Sequence, residues 1–242
     1  MSFRLRPLVA AVALALAVPS AGCSTTPSRT AVPVSAEAPA RALVACPGGV
    51  VRTPEQAAAF YGCESITGDL RIEGSELVEL GTFTLLTEVT GAVAVVDNAR
   101  LRSLDGFENL SAVGSLRIAG NPKLESVASL EALTLAPNVE IAENPRLVDL
   151  RGLDGVEQVG ALVIRGNRRL LSLAGLENLE QARSLSVSEN PRLCAKLGLL
   201  PRLSGVRELS VTRNFGLSGA DLEELRARLG QGAATTALAL AP

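Results

Sequence analysis

Apolar residues along most of this chain come in short alternating pairs: Leu116/Ile118, Val139/Ile141, Leu162/Ile164 and Leu185/Val187, each enclosing one outward position. Alternation of this kind is the pattern of a short strand with one buried face. An asparagine follows each pair at a fixed distance. Asn98, Asn121, Asn144, Asn167, Asn190 and Asn214 recur every 23 or 24 residues, and Ser75 occupies the same slot one period earlier. Between one asparagine and the next strand the apolar positions are spaced by three, as in Leu147, Leu150, Leu153, Val156 and Val159. A regular amphipathic helix must average 3.6, so this stretch reads as extended or 3₁₀ segments, turning at Gly106, Gly152 and Gly175.

A period this constant is an internal repeat in which each unit supplies one strand. Successive strands run in the same sense, about 4.8 Å apart. The predicted fold is mainly β: a right-handed, single-stranded parallel β-solenoid of about seven 23-residue coils. Each asparagine sits at a sharp turn, where its amide can donate to and accept from the backbone of its own and adjacent coils, and Pro122, Pro145 and Pro191 follow it. A buried polar group left unpaired costs about 1–3 kcal/mol, so a stacked ladder of these residues would set the register of the coils.

Both ends carry helix signals. In "CPGGVVRTPEQAAAFYGC" Thr53 is an N-cap, Pro54 takes the first helical position, Gln56 completes a capping box and Gly62 is a stop. In an exported chain Cys46 and Cys63, bracketing that helix, are expected to form a disulfide rather than two free thiols. At the other end "SGADLEELRARLG" places Ser218 three residues before Asp221, with Leu222, Leu225 and Leu229 on one face. These short helices are expected to cap a solenoid spanning 46–230, and 231–242 reads as a loose tail that could pack back. Cys194 then has no partner, and reads as a buried core thiol or, alternatively, a site of intermolecular bonding.

Composition narrows the function more than the fold. The chain has no His and no Trp, and its aromatic content is 2%, so the core is expected to be Leu, Val, Ile and Ala. Without His there is no Ser-His or Cys-His pair and no His-ligated metal, and no phosphate-binding glycine loop opens a helix. Neither a cofactor, a metal site nor catalysis is expected. The formal net charge of -2 predicts no footprint for nucleic acid. A recognition module and a purely structural envelope scaffold remain, with an enzyme lacking any recognisable site as a third reading. The outward row Arg71, Ala94, Arg117, Glu140, Val163, Ser186 and Ser210 is a possible binding face, with Arg71, Arg117 and Glu140 as its charged members. Its lack of aromatics points to a polymer or a weakly held protein, either a polysaccharide or an envelope protein.

Residues 1–22 read as an export signal: Arg4 and Arg6 precede the apolar run Leu8–Val18, which is shorter than the roughly 20 residues needed to span a bilayer. The run ends in "SAGCS", which resembles a bacterial lipoprotein lipobox with Cys23 as the lipidated residue. Ser20 stands where that motif usually has Leu, leaving cleavage by an ordinary signal peptidase as the alternative. Residues 23–45, rich in Pro, Ser, Thr and Ala, form a tether reaching about 25 Å by random-coil scaling. Localisation at a bacterial cell envelope, anchored in the outer membrane, is the expectation, with a secreted or periplasmic protein as the alternative.

The units "LRIAGNPKLESVASLEAL" (Leu116–Leu133) and "LVIRGNRRLLSLAGLENL" (Leu162–Leu179), following a Cys-bracketed helix, resemble receptor L-domain proteins, including bacterial lipoproteins that carry such domains. They also resemble leucine-rich repeats through Leu-x-Ile-x-x-Asn-x-x-Leu. The resemblance covers about Cys46–Gly230. It implies a binding or adhesion role and no chemistry.

Overall fold

The computed structural model describes residues 43–194 and 200–229, together with the backbone of 234–239. The expected export signal, Cys23 and most of the expected tether lie outside the described residues. Nine parallel strands form one sheet in chain order, β1 to β9. Seven of them carry the repeat: β2 (Ser65–Glu73), β3 (Glu88–Val96), β4 (Ala112–Ala119), β5 (Asn138–Ala142), β6 (Gln158–Arg165), β7 (Gln181–Ser188) and β8 (Gly205–Thr212). The inward members of each strand stack in register, as in Leu116↔Val139↔Leu162↔Leu185. With the three-spaced leucines opposite, they form one continuous core. The three-spaced stretches are extended or 3₁₀, as at Gly81–Phe83 and Ala128–Leu130. Gly106, Gly152 and Gly175 turn with φ of 121°, 108° and 104°.

Aromatic residues matter more to this core than their number implied. Phe60, Phe83 and Phe107 stack with ring centroids 5.7 and 5.6 Å apart, so three of the chain's five phenylalanines form a spine in the first coils. Leu130, Leu153 and Leu176 occupy the same column further along.

Every asparagine of the ladder is fully buried. The Oδ1 of each accepts the backbone N–H of the residue one coil earlier: Asn98 from Ser75 (2.9 Å), Asn121 from Asn98 (3.0 Å), Asn144 from Asn121 (3.1 Å), Asn167 from Asn144 (3.0 Å), Asn190 from Asn167 and Asn214 from Asn190 (both 3.0 Å). Each Nδ2 donates to a strand carbonyl of that same earlier coil, for example Asn144 to Ile118 at 2.9 Å. The coils at Asn98, Asn167 and Asn214 lack a following proline and make the same bonds, so proline is not what forms the turn. The turn comes from the residue before the asparagine slot. Gly74, Asp97, Gly120, Glu143, Gly166, Glu189 and Arg213 all have left-handed backbone, with φ between 55° and 68°.

The ends are more strand-rich than their sequences imply. β1 (Ala45–Val51) pairs in parallel with β2, through a "PGG" run that looks hostile to a strand. It is an edge strand, where Pro47 is tolerated, and a Cβ at Gly48 would lie 2.4 Å from the Asp69 carbonyl oxygen. Ala45, read as the end of the tether, therefore belongs to the sheet. Helix α1 (Pro54–Ala58) follows with the capping box of Thr53 and Gln56, and Cys46 is disulfide-bonded to Cys63 with Cα atoms 5.8 Å apart. Helix α2 (Gly219–Leu229) starts at the Ser218–Asp221 cap and buries Leu222, Leu225 and Leu229. The Ser218 hydroxyl and N–H hold the Asp221 carboxyl below its usual range. Beyond it, Ala234–Ala239 is a ninth strand, β9, pairing with β8, where a loose tail was expected. The strand forms because its backbone completes the open edge of β8. Cys194 is free and half-buried rather than a core residue, because it lies one position beyond the inward Leu193.

Candidate functional site

The outward row of the sheet stands in the register anticipated: Arg71↔Ala94↔Arg117↔Glu140↔Val163↔Ser186↔Ser210. Its charges are not free. The Arg71 guanidinium meets Asp69 two residues earlier on the same strand at 3.0 Å. Asp69 also accepts the Ala92 N–H at 2.9 Å, and that backbone bond first, then Arg71, holds its carboxyl below the usual range. Arg117 meets Glu140 at 3.0 Å, and Glu140 lies 3.7 Å from Arg165, which bonds Glu143 at 2.7 Å. Arginines and glutamates thus alternate across β4, β5 and β6 and cancel one another. Exposed pairs of this kind contribute well under about 1 kcal/mol each, so their effect is to neutralise the face rather than to stabilise it.

Arg165 and Glu143 were not singled out in the sequence, although their phase marks them. Arg165 occupies the last strand position, in register with Ala119 and Ala142, and Glu143 is the left-handed residue before Asn144.

Past this ion-pair run the face changes character. From β6 to β8 its outward positions include Ala161, Val163, Ser184, Ser186, Ser188, Ser210 and Thr212, all half-buried and uncharged; the charged outward positions there are Arg165, at the end of β6 in the row of Ser188, and the exposed Glu208, in the row of Ala161 and Ser184. Short side chains leave the pleated backbone close to the surface, and hydroxyls offer both donors and acceptors. At the turn beside this patch, Phe215 is 61% exposed at a groove of about 670 Å³ that it shares with Pro145, Arg168 and Pro191. Among the described residues no group of three or more His, Cys, Asp or Glu side chains could hold a metal ion, and no helix is long and apolar enough to cross a membrane.

Residues 62–151 match the family model of the receptor L domain. The match runs across β2 to β5, and the coils of β6, β7 and β8 continue the same register beyond it. No curated protein and no solved structure shows a match.

Proposed function

We propose that this protein is a non-catalytic, ligand-binding repeat module held at a bacterial cell envelope by a lipid on Cys23, and that it takes its partner on the sheet face across β6, β7 and β8. The observation that carries this reading is the face itself: a wide, regular sheet surface whose charged half is internally neutralised and whose other half presents, beside the carboxylate of Glu208, serines, a threonine and small apolar side chains. Every catalytic pairing that requires histidine is missing from the composition. The partial receptor L-domain match supports ligand binding over a scaffold role.

The ion pairs move the expected contact away from Arg71 and Arg117. Binding should survive moderate salt, because the groups in contact are uncharged. The test is capture of partners from detergent-solubilised envelopes with the full mature protein. Val163→Arg/Ser186→Arg should abolish capture, whereas Arg71→Gln/Arg117→Gln should reduce it less than threefold. The opposite ranking would place the contact on the charged half.

A further inference from the structure

A second surface, beside the sheet face, carries two arginines that make no ion pair among the described residues. Five arginines lie within strands of the repeat: Arg71, Arg117, Arg165, Arg183 and Arg207. The first three are ion-paired on the sheet face. Arg183 and Arg207 have no ion-pair partner among the described residues. They are also neighbours: Ala182 pairs with Val206 and Ser184 with Glu208, which sets Arg183 opposite Arg207, one strand spacing of about 4.8 Å apart.

The cause of this pairing is a kink that runs through the stack. Between the first two inward residues β4, β6, β7 and β8 have two outward residues and β2 and β3 have three, and the residue two before the second inward one lies on the kink rather than on the sheet face. In the early coils this row is glycine, at Gly68, Gly91 and Gly114, because each coil there packs on the backbone of the one before. A Cβ on Gly91 would lie 2.6 Å from the Gly68 carbonyl oxygen, and one on Gly114 2.6 Å from that of Thr90. Gly160 keeps the pattern, with Pro137 opposite. In the last two repeat coils the row opens, and the side chains admitted are both arginine.

These arginines line a groove of about 600 Å³ over the starts of β6, β7 and β8. Gln158 and Gln181, adjacent in register, and Ser204 add amide and hydroxyl groups. None of the described residues lining the groove is a carboxylate. Glu157, Glu180 and Glu208 flank it in sequence without lining it.

Two adjacent guanidiniums in an uncharged groove lose energy to mutual repulsion until an anion enters. Guanidinium forks match oxyanions in a bidentate manner that a lysine could not reproduce. The groove crosses the strands, and β6, β7 and β8 are each paired on both sides, so no free sheet edge is available for a peptide backbone to join. What the groove offers beside its charges is amides and a hydroxyl, which suit a ligand rich in hydroxyl groups. We infer that it is a subsite for an acidic polysaccharide, with Arg183 and Arg207 clamping a carboxylate or sulfate and Gln158 and Gln181 meeting ring hydroxyls.

The experiment is calorimetric titration of the full mature protein at low salt with oligogalacturonate, heparin-derived oligosaccharide, neutral dextran and polyglutamate. At least one acidic glycan should bind, dextran should not, and polyglutamate should bind at least tenfold more weakly. The carboxylated and sulfated probes tell the two anion types apart. Arg183→Gln/Arg207→Gln should weaken glycan binding at least tenfold, and Arg183→Glu/Arg207→Glu should abolish it. Arg100→Gln/Arg102→Gln, four coils away, should leave it unchanged. All variants must keep the wild-type melting temperature, and exposed strand positions allow this. No glycan binding at low salt, undiminished binding in the double glutamine variant, or polyglutamate binding as tight as the glycan would each overturn the proposal. None of these outcomes touches the sheet-face reading, whose variants lie elsewhere.

Discussion

Asn144 satisfies three buried backbone groups with one side chain. Its Oδ1 accepts the Asn121 N–H at 3.1 Å, and its Nδ2 donates to the carbonyls of Ile118 and Ala142 at 2.9 and 3.0 Å. Leucine would fill a similar volume and break all three bonds; the Ala142 carbonyl would keep the Gly120 N–H at 3.0 Å, but the Asn121 N–H would lose the acceptor that Asn144 supplies. Asn144→Leu should therefore cost more than about 1.5 kcal/mol, at about 1–3 kcal/mol for each stranded group before relaxation. Arg146→Ala, two residues on, removes only an exposed pair with Glu125 and should stay within about 0.5 kcal/mol. Urea midpoints of the two variants check this, and equal midpoints would contradict a ladder that carries stability. Glu143, immediately before, is left-handed at φ 55° without being glycine, a conformation that costs a non-glycine residue about 1 kcal/mol. Its ion pair with Arg165 offsets only part of that.

At the scale of elements the repeat behaves as a stack in which each strand is held by its two neighbours, so the terminal strands matter out of proportion to their length. β1 pairs on one side only, and the Cys46–Cys63 bond ties it to the chain entering β2. The bond closes a loop with a sequence separation of 17, for which the chain-entropy model gives about 3 kcal/mol. Reduction should lower stability by about that amount. Hydrogen exchange should accelerate first in β1 and β2 while β5 and β6 stay protected, because stability in a solenoid is passed between nearest neighbours. Uniform acceleration along the stack would mean that the coils open as one unit. At the other end α2 lays Leu222, Leu225 and Leu229 over the core and delivers the chain to β9, which covers the edge of β8.

For the whole molecule the decisive question is attachment. The proposed function rests on reading the lipobox-like "SAGCS" as a lipid anchor at Cys23 and the Pro- and Ser-rich stretch after it as a tether. Metabolic labelling with palmitate should mark the wild-type protein and leave Cys23→Ala unlabelled. Equal labelling of both would reject the anchor and return the reading to a secreted or periplasmic module. The solenoid presents two surfaces at once, the sheet face and the arginine groove, and repeats allow both to vary without disturbing the leucine and asparagine framework.

The sequence by itself determined the period, the inward positions, the asparagine slot and both capping helices. Each of these is a local pattern repeated in phase, and repetition makes a weak signal unambiguous: one Leu-x-Ile means little, but seven at a constant interval specify a stacked parallel strand. Only the tertiary structure decided the rest, because it depends on what a neighbouring coil places opposite. β1 forms through Pro47-Gly48-Gly49 because β2 supplies its ladder, and Ala234–Ala239 becomes a strand because β8 has an open edge. The glycine row is a steric demand of one coil's backbone on the next. Arg117 and Arg183 look alike along the chain. Register gives the first a glutamate at 3.0 Å and the second another arginine, so one is neutralised and the other is left to a ligand.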